Sequence, residues 1–353
     1  MNQIYFSLQV RCSQERHLSI NFISITRGEQ LSPIRGSDGL SPLAVEEFNS
    51  LNPDRHVIAV DTADPTKLLA RLSLWWRRVP GIPGKRLGVI GHYAAGKDQI
   101  GKSILEHAVT LLAEQGCTLA IGPMDRDTWH RYRLVTDCGD APPFFMEPRN
   151  PVDWPNHFKG AGFTELATYQ SAIDTDLDFI DPRINALEQR FKSQGLRVRS
   201  LDPQQFDREL NAIYRLTVQA FSDSYLYTPI LESEFKQLYK SIGHLITPQL
   251  VLIAERDNEP IGYIFGMPDL EQAQPGHKAD TAIIKTIGVI SDRTVAGCGA
   301  YLIHLWRQEA RRLGFARIIH ALMHDENHKI LNVSNRYAQT FRRYTLFGHV
   351  IEP

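Results

Sequence analysis

Two stretches of the chain repeat the same succession of apolar and polar positions. Residues 87–90 (LGVI) and 287–290 (IGVI) are apolar, β-branched runs, which are typical of buried strands. Each is followed by a polar, glycine-bearing loop and then by a segment between two glycines, 101–116 and 299–314, in which apolar residues recur at helical spacing. A further apolar run follows each segment and predicts another strand. The order strand, loop, helix, strand is therefore predicted twice.

Other predicted elements precede each copy in the same order. Helical patterns come first and antiparallel strand candidates follow; in the second copy these candidates lie in 249–267 and are joined by a turn at DNEP, 257–260. We predict an α/β fold of two tandem domains, each a mixed, mostly antiparallel sheet flanked by helices. The predicted ranges are 1–176 and 196–353, joined by a linking helix in 177–195.

Composition and charge are those of a globular protein that is not specialised for nucleic acid. The 353 residues are 42% hydrophobic and 22% charged, and the formal net charge is −1, so no overall basic field favours nucleic acid or an anionic membrane. The sequence shows no signal-peptide pattern and no transmembrane run, and its four cysteines form no C-x-x-C pair. These features predict a cytoplasmic protein without a membrane span.

Residues 96–103, GKDQIGKS, match the pattern G-x-x-x-x-G-K-[ST] of the phosphate-binding loop in nucleotide triphosphatases. A predicted strand precedes the match and a predicted helix follows it, as that loop requires. The next predicted strand, 117–122, ends in Gly-Pro and not in the aspartate that holds Mg²⁺ in such enzymes. Alignment of the two copies makes this loop an altered counterpart of 294–300. A P-loop nucleotide hydrolase that uses Gly96 to Ser103 stays open as an alternative.

The loop of the second copy, TVAGCGA at 294–300, is better suited to bind phosphate. It follows an apolar strand and opens a helix, where unpaired backbone N–H groups and the helix dipole favour an anion. Here the sequence resembles the GNAT superfamily of acyl-CoA-dependent N-acetyltransferases, which carries Q/R-x-x-G-x-G/A between its fourth strand and third helix. Gly297 and Gly299 match the two glycine positions, and Thr294 stands where the family prefers Gln or Arg. The resemblance covers roughly 196–350.

The first half of the chain resembles, more loosely, the N-terminal half of tandem GNAT proteins. The shared features are Gly122-Pro123 after a strand, the pair Pro142-Pro143 and Gly162-Phe163 before the last strand. The resemblance therefore implies two GNAT-like domains, the first of which has a degraded CoA loop.

The same resemblance implies which residues bind an acyl-CoA co-substrate, either acetyl-CoA or another acyl-CoA. In the family, loop amides bind the CoA pyrophosphate, a backbone N–H of the splayed fourth strand contacts the thioester carbonyl, and an Asn after the fifth strand contacts the CoA arm. The residues at these positions are Gly288, Val289, Thr294, Val295, Ala296, Gly297, Cys298, Gly299, Ala300 and Asn327.

Amine acylation also needs a base for the amine, donors for the thioester carbonyl and a proton for the leaving thiolate. His320, near the end of the fifth predicted strand of the second copy, and Glu326 are the candidate bases. The family's usual acid is a Tyr seven residues after the Asn. That position is Ser334 here, so Tyr337 becomes the candidate acid. An H-x₃-H-x₃-H series begins at His320, but its members would not share one face of a strand, and no metal site is predicted.

The sequence thus predicts an acyl-CoA-dependent N-acyltransferase that transfers an acetyl group to a primary amine of a small molecule or peptide. Its expected partners are acyl-CoA and the amine acceptor, without nucleic acid. Three alternatives stay open: a longer-chain N-acyltransferase of an amino acid, peptide or natural product, a non-catalytic CoA-binding scaffold, and the P-loop hydrolase.

Overall fold

The computed structural model describes residues 6–9, 19–37, 39–273 and 278–352. Residue contacts divide this chain into two compact units. Unit 1 comprises the described residues up to Thr136, together with Pro148–Thr168 and the chain from Tyr344 onward. Unit 2 comprises Asp137–Glu147 and Tyr169–Arg343. Three strands have residues in both units.

The elements of the first part of the chain are seven strands and three α-helices in the described residues. The strands are β1 (Phe6–Gln9), β2 (Ser19–Ile25), β3 (Arg55–Asp61), β4 (Leu68–Trp75), β5 (Leu87–Ala95), β6 (Leu119–Gly122) and β7 (Leu134–Asp137). The helices are α1 (Val45–Leu51), α2 (Asp98–Glu114) and α3 (Trp154–Gly160).

The remaining elements complete the described chain. The strands are β8 (Thr164–Asp174), β9 (Arg197–Ser200), β10 (Val251–Arg256), β11 (Glu259–Pro268), β12 (Thr281–Val289), β13 (Arg317–His324) and β14 (Gln339–Val350). The helices are α4 (Ile184–Ser193), α5 (Phe206–Ala220), α6 (Glu232–Ser241), α7 (Cys298–Arg312) and α8 (His328–Ser334).

In unit 1 the strand order is β1-β2-β3-β4-β5-β6-β14, and among the pairs with a described register only β5 and β6 run parallel. The strands are covered on both faces, because alternate residues of β3 join different hydrophobic clusters. Val57 and Ala59 pack with α2, whose side chains include the fully buried Ile104 and Leu112. Ile58 lies in the opposite cluster, beside α1.

In unit 2 the strand order is β8-β13-β12-β11-β10-β9, and the parallel pair is β12 with β13. Helix α7 covers one face and buries Leu302, Ile303 and Trp306 against the strands. The indole Nε1 of Trp306 donates to the carbonyl of Leu250 at 2.9 Å. A Cβ at Gly266 would lie 2.3 Å from the Trp306 ring, so this strand position requires glycine.

The duplicated strand–loop–helix–strand order predicted from the sequence is present as β5-α2-β6 and β12-α7-β13. Both helices stop at the expected glycines, because Gly116 and Gly314 adopt φ values of +72° and +92° that disfavour other residues. The predicted hairpin turn is also present, with Asp257 and Asn258 at positive φ between β10 and β11.

The predicted α/β fold with mixed, mostly antiparallel sheets is confirmed. The predicted domain ranges, 1–176 and 196–353, stay a prediction; the contact units differ from them because β14 pairs with β6 and β8 pairs with β13. In the described part of the chain, every helix is too short or too polar to cross a membrane. The cytoplasmic location stays a prediction.

Candidate functional site

The parallel strands of unit 2 part in the middle of their length. β12 and β13 pair from Thr281 with Arg317 to Ile284 with His320, and their pairing ends there. At the same point Lys285 is the extra residue of a β-bulge, because Ile284 pairs with Gly266 of β11 while Thr286 pairs with Phe265. The bulge and the lost pairing open a gap between two neighbouring strands.

A small cavity occupies this gap. Its volume is about 40 Å³, and its lining includes Lys285, Thr286, His320, Ile303, Met323 and Ile330. A cavity needs roughly 10–15 Å³ to hold one water molecule, so this one has room for a group of about three heavy atoms. Its walls are mostly apolar, and His320 is the buried titratable side chain among them.

His320 is held in one orientation by a hydroxyl group. His320 is 2% exposed, and its Nδ1 lies 2.8 Å from Oγ of Ser334 on α8. Among the described residues, Nε2 has no hydrogen-bond partner. Burial, and secondarily the charge of Arg307, lowers the pKa of His320 to about 3, so the ring is neutral at pH 7. A neutral ring in a cavity is suited to donate or accept one hydrogen bond.

The other predicted catalytic residues do not line this cavity. Glu326 is exposed on the turn between β13 and α8. Tyr337 packs elsewhere in unit 2, with the guanidinium carbon of Arg307 4.1 Å from its ring centre and Phe179 at its edge. Burial, and then the charge of Asp181, raises the pKa of the Tyr337 hydroxyl. The structure therefore places His320 in the gap and leaves Glu326 and Tyr337 outside its lining.

The predicted backbone and amide contacts lie on either side of the gap. Gly288 and Val289 still pair with β11, beyond the bulge, and do not line the cavity. Val289 instead lies near the loop, since its Cγ2 is 4.0 Å from the position of a Cβ on Gly299. Asn327 caps α8, where its Oδ1 accepts the N–H of Ile330 at 3.4 Å.

The loop before α7 leaves its backbone open to solvent. Gly297 is the N-cap residue of α7 at φ +87°, and Thr294, Ala296 and Gly297 are exposed. The hydrophobic members of the predicted set, Val295, Cys298 and Ala300, point into the core and anchor the loop. Burial raises the pKa of the Cys298 thiol to about 12, so it stays protonated and unreactive. The first N–H groups of α7 precede its first intrahelical hydrogen bond, from the N–H of Tyr301 to the carbonyl of Gly297, and form a site suited to an anion.

Two arginines contact this loop from other elements. Arg256, at the end of β10, donates from Nη1 to Oγ1 of Thr294 at 2.9 Å. Arg190, on α4, donates from Nη2 to the carbonyl of Ala296. Asp292 is the counter-charge, 3.8 Å from Arg256 Nη2. These guanidinium groups add positive charge at the loop where the helix dipole already favours an anion.

No family model matches the sequence. The chain is similar to the bacterial ceramide synthase of Caulobacter vibrioides (strain NA1000 / CB15N), with 27% identity over 248 residues, 66% of this chain and 64% of that protein. It is also similar to Protein YghO of Escherichia coli (strain K12), with 24% identity over 195 residues, 54% of this chain and 49% of that protein. The matches thus span about half to two thirds of these relatives.

Solved structures decide the fold. A GCN5-related N-acetyltransferase from Sphaerobacter thermophilus superposes with a TM-score of 0.51 and 14% identity, covering 94% of this chain and 96% of that chain. The GCN5-related glucosamine N-acetyltransferase region of a fungal multi-domain GH3 β-N-acetylglucosaminidase gives a TM-score of 0.54 and 14% identity, over 95% of this chain and 38% of that chain. This chain has the GNAT fold. The likeness extends through both units.

In unit 1 the corresponding loop of the GNAT fold has a different structure. Helix α2 begins at Asp98, so Gly101, Lys102 and Ser103 lie within the helix and not in a loop around a phosphate. A Cβ at Gly101 would lie 2.2 Å from Nδ1 of His157, which shows how closely α3 covers this turn. Nε2 of His157 lies 3.0 Å from Asp98 Oδ1. The P-loop alternative is therefore wrong, because only Gly96 and Lys97 lie between β5 and α2, and a loop this short cannot wrap a triphosphate.

Sequence reasoning missed several residues of this candidate site. Lys285 and Thr286 line the gap because of a bulge, and no sequence pattern marks that bulge. Ser334 stands where the resemblance expects a tyrosine, and no sequence pattern indicates that it orients His320. Arg256 lies 38 residues before Thr294 in the sequence and reaches it through the sheet. The one available signal was Thr294 itself. It replaces the Gln or Arg of the GNAT loop pattern, which indicates that another residue supplies that polar contact.

Proposed function

We propose that this protein is an acyl-CoA-dependent N-acyltransferase that binds acyl-CoA in unit 2 and transfers the acyl group to a primary amine. The GNAT fold supports acyl transfer as the class of reaction. The observation that carries the proposal is the position of the loop 294–300 relative to the gap between β12 and β13. The gap opens after Ile284, β12 continues from there to Val289, and the loop follows the end of this strand.

The loop would receive the CoA pyrophosphate. The N–H groups in the first turn of α7 precede its first intrahelical hydrogen bond, and Arg256 and Arg190 bring two positive charges to the same loop. In this proposal Arg256 supplies the cation that the family's Gln or Arg position lacks here. The pantetheine arm then follows β12 past Val289 and Gly288 toward the gap.

The gap would hold the thioester. The amine nitrogen attacks the carbonyl carbon, a C–N bond forms, and the carbonyl oxygen carries negative charge. The C–S bond then breaks, and the CoA thiolate takes up the proton that the amine has lost. A base with a pKa of about 3 does not deprotonate an ammonium group well, so His320 is better suited to donate a hydrogen bond to this oxygen. If the Ser334 hydroxyl donates to Nδ1, the proton of the neutral ring is on Nε2. Glu326 stays the candidate that removes the amine proton.

Two observations favour different acyl-group lengths and different amine acceptors. The volume of about 40 Å³ fits a two-carbon acyl group, which favours acetyl transfer. The likeness to a bacterial ceramide synthase favours the second candidate, a longer-chain acyltransferase that acts on a long-chain amine. A long acyl chain would have to leave the gap along the strands, since the gap itself is too small.

Binding and turnover test these steps separately. Thermal-shift runs with acetyl-CoA, palmitoyl-CoA and Mg-ATP rank the ligands, because a ligand at 100 times its Kd adds about 2.7 kcal/mol of stability. We expect stabilisation by a CoA thioester and none by Mg-ATP. Release of free CoA thiol, measured with short and long-chain primary amines, then identifies donor and acceptor. CoA binding without turnover on any amine would support the scaffold alternative and contradict the enzymatic one.

A matched pair of variants locates the phosphate site. Gly299→Glu places a carboxylate in the first turn of α7, where a Cβ comes no nearer than 3.7 Å to Ile287 and where an acidic residue suits the helix dipole. The helix should remain stable while CoA is repelled. Gln308→Glu adds the same charge at an exposed position of α7, away from the loop, and should bind CoA normally. Normal CoA binding by Gly299→Glu would refute the assignment of the loop.

A further inference from the structure

A buried polar cluster crosses three neighbouring strands of unit 1. His56 on β3, Ser73 on β4 and His92 on β5 are each at most 3% exposed. Oγ of Ser73 lies 2.8 Å from Nδ1 of both imidazole rings. Burial is the main cause that lowers the pKa of both histidines, so both rings are neutral at pH 7. A serine hydroxyl has one proton, so it donates to one ring and accepts Nδ1–H from the other.

This sharing gives the two rings opposite tautomers. When the Ser73 hydroxyl donates to His56, His92 carries its proton on Nδ1 and has a bare lone pair on Nε2. Among the described residues, Nε2 of neither ring has a hydrogen-bond partner. An unsatisfied polar atom in the interior costs about 1–3 kcal/mol. The side chain of His92 is 0% exposed, so water at the surface does not satisfy it either.

Two carboxylates face the open nitrogen of His92. Oε1 of Glu47, on α1, lies 3.8 Å from Nε2, which is too far for a hydrogen bond. Asp125, in the segment after β6, completes a group whose ligand atoms all lie within 4.8 Å of one another. The Asp125 side chain is 8% exposed, and it also accepts the backbone N–H of His92.

We propose that Glu47, His92 and Asp125 bind a divalent transition-metal ion of the Zn²⁺ or Mn²⁺ type in unit 1. One imidazole nitrogen and two carboxylates are ligands that these ions accept. Metal bonds of about 2.0–2.2 Å place two ligand atoms about 3–4 Å apart, which matches the separation of Glu47 and His92. Ser73 holds Nδ1 of His92, and such a bond to the second nitrogen orients most metal-binding histidines.

Two protein cations act on both carboxylates: the partly buried Arg71 interacts with them electrostatically, and Arg131 forms hydrogen bonds with them. Arg131 donates from Nε to Oδ2 of Asp125 at 3.2 Å and from Nη2 to Oε1 of Glu47. Its side chain is 71% exposed, so it can turn into solvent without losing buried contacts. Metal binding requires this movement. Removing the Arg131 charge should therefore strengthen metal binding, whereas it would only loosen an ion-pair cluster that has no metal.

A second cluster in unit 1 serves as the internal control. Asp98, Asp153 and His157 also bring their ligand atoms within 4.8 Å of one another. Both nitrogens of His157 are engaged, however, Nδ1 with the Tyr93 hydroxyl at 2.7 Å and Nε2 with Asp98 at 3.0 Å. Unlike Nε2 of His92, Nε2 of His157 therefore already has a hydrogen-bond partner, and this cluster lacks the unsatisfied nitrogen that favours a metal at the first one, so we expect no ion here.

The test uses the full chain after removal of metals with a chelator and dialysis. Co²⁺ reports binding through its visible absorption, and calorimetry with Zn²⁺ gives the stoichiometry. We expect one ion per chain. Glu47→Gln, on a partly exposed helix position, should abolish binding, and Ser73→Ala should weaken it about 10–100-fold by freeing the His92 ring. Arg131→Gln should tighten it about tenfold or more, while Asp98→Asn should leave it unchanged.

Circular dichroism of each variant confirms that it is folded. The proposal is overturned if neither the unaltered protein nor Arg131→Gln binds Co²⁺ or Zn²⁺ at millimolar concentration. It is equally overturned if stoichiometric binding survives in folded Glu47→Gln, because the ion would then lie elsewhere. None of these measurements depends on acyl transfer, so they are independent of the proposed function.

Discussion

Replacement of Arg256 by alanine tests the proposal that this arginine helps the loop 294–300 to bind the CoA pyrophosphate in place of the Gln or Arg found in the GNAT loop pattern. Arg256 Nη1 donates to Thr294 at 2.9 Å, and its side chain is 27% exposed. A phosphate on the loop would compete with Asp292 for the same guanidinium group. The alanine variant removes that group and leaves the loop backbone, with its own hydrogen bond from Thr294 N–H to Asp292, in place.

The size of the effect follows from exposure and charge. A hydrogen bond to a charged group is worth about 1.5–3 kcal/mol, and partial exposure together with the nearby Asp292 reduces this to about 1–2 kcal/mol. Since about 1.4 kcal/mol corresponds to tenfold in affinity, Arg256→Ala should bind CoA about 5–30-fold more weakly. Arg256→Lys keeps the positive charge but lacks the planar guanidinium group, so its affinity for CoA should lie between those of the unaltered protein and of Arg256→Ala.

Calorimetric titration of CoA gives the affinities. Salt should weaken binding less in Arg256→Ala than in the unaltered protein, because one charged contact is gone. Arg317→Ala is the matched control, since it also breaks an exposed arginine–carboxylate pair of unit 2, with Asp280, on another element. Unchanged CoA affinity in Arg256→Ala, or an equal loss in Arg317→Ala, would refute the reasoning.

Three further results are expected from unit 2. Arg307 is 1% exposed and pairs with Asp174 at 2.6 Å. Arg307→Met should therefore lower the free energy of unfolding by about 3–5 kcal/mol, because it leaves a buried carboxylate unpaired, and the double variant with Asp174→Leu should recover much of this loss. An unchanged urea midpoint for the single variant would contradict this. The pKa of His320 is about 3 in the folded protein, below the ordinary 6.5. Between these two pH values the unfolded state binds a proton that the folded state does not, so stability falls as the pH drops from about 6.5 toward 3. The loss is up to about 1.4 kcal/mol per pH unit. Urea unfolding at pH 7.5 and 5.0 should show a smaller difference for His320→Gln, and an equal difference would mean that the ring is not held neutral. Loss of the proposed oxyanion donor in His320→Ala should reduce kcat about 10²–10³-fold, more than in His320→Gln, whose amide can still donate; equal rates in both variants would count against that role.

Much of the local structure was readable from periodicity. The apolar spacing of α2 and α7, the glycines that stop them and the turn before β11 each depend on residues close in sequence, and all were predicted. The loop 294–300 was recognised for the same reason, because its glycines and the helix after it are consecutive. Gly288 and Val289, predicted to contact the thioester carbonyl, lie beyond the bulge at Lys285 and do not line the cavity, and their role stays a prediction.

The sequence by itself determined the duplicated strand–loop–helix–strand order, the helix ends and the glycine loop, since backbone preference and side-chain periodicity act over a few residues. The tertiary structure alone decided that α2 begins at Asp98 within GKDQIGKS, that His157 covers Gly101, and that Arg256 reaches Thr294. It also decided that Ser73 joins two histidines beside Glu47 and Asp125. These contacts join residues far apart in the chain. They depend on strand register, and one added residue in a strand changes which side chains share a face.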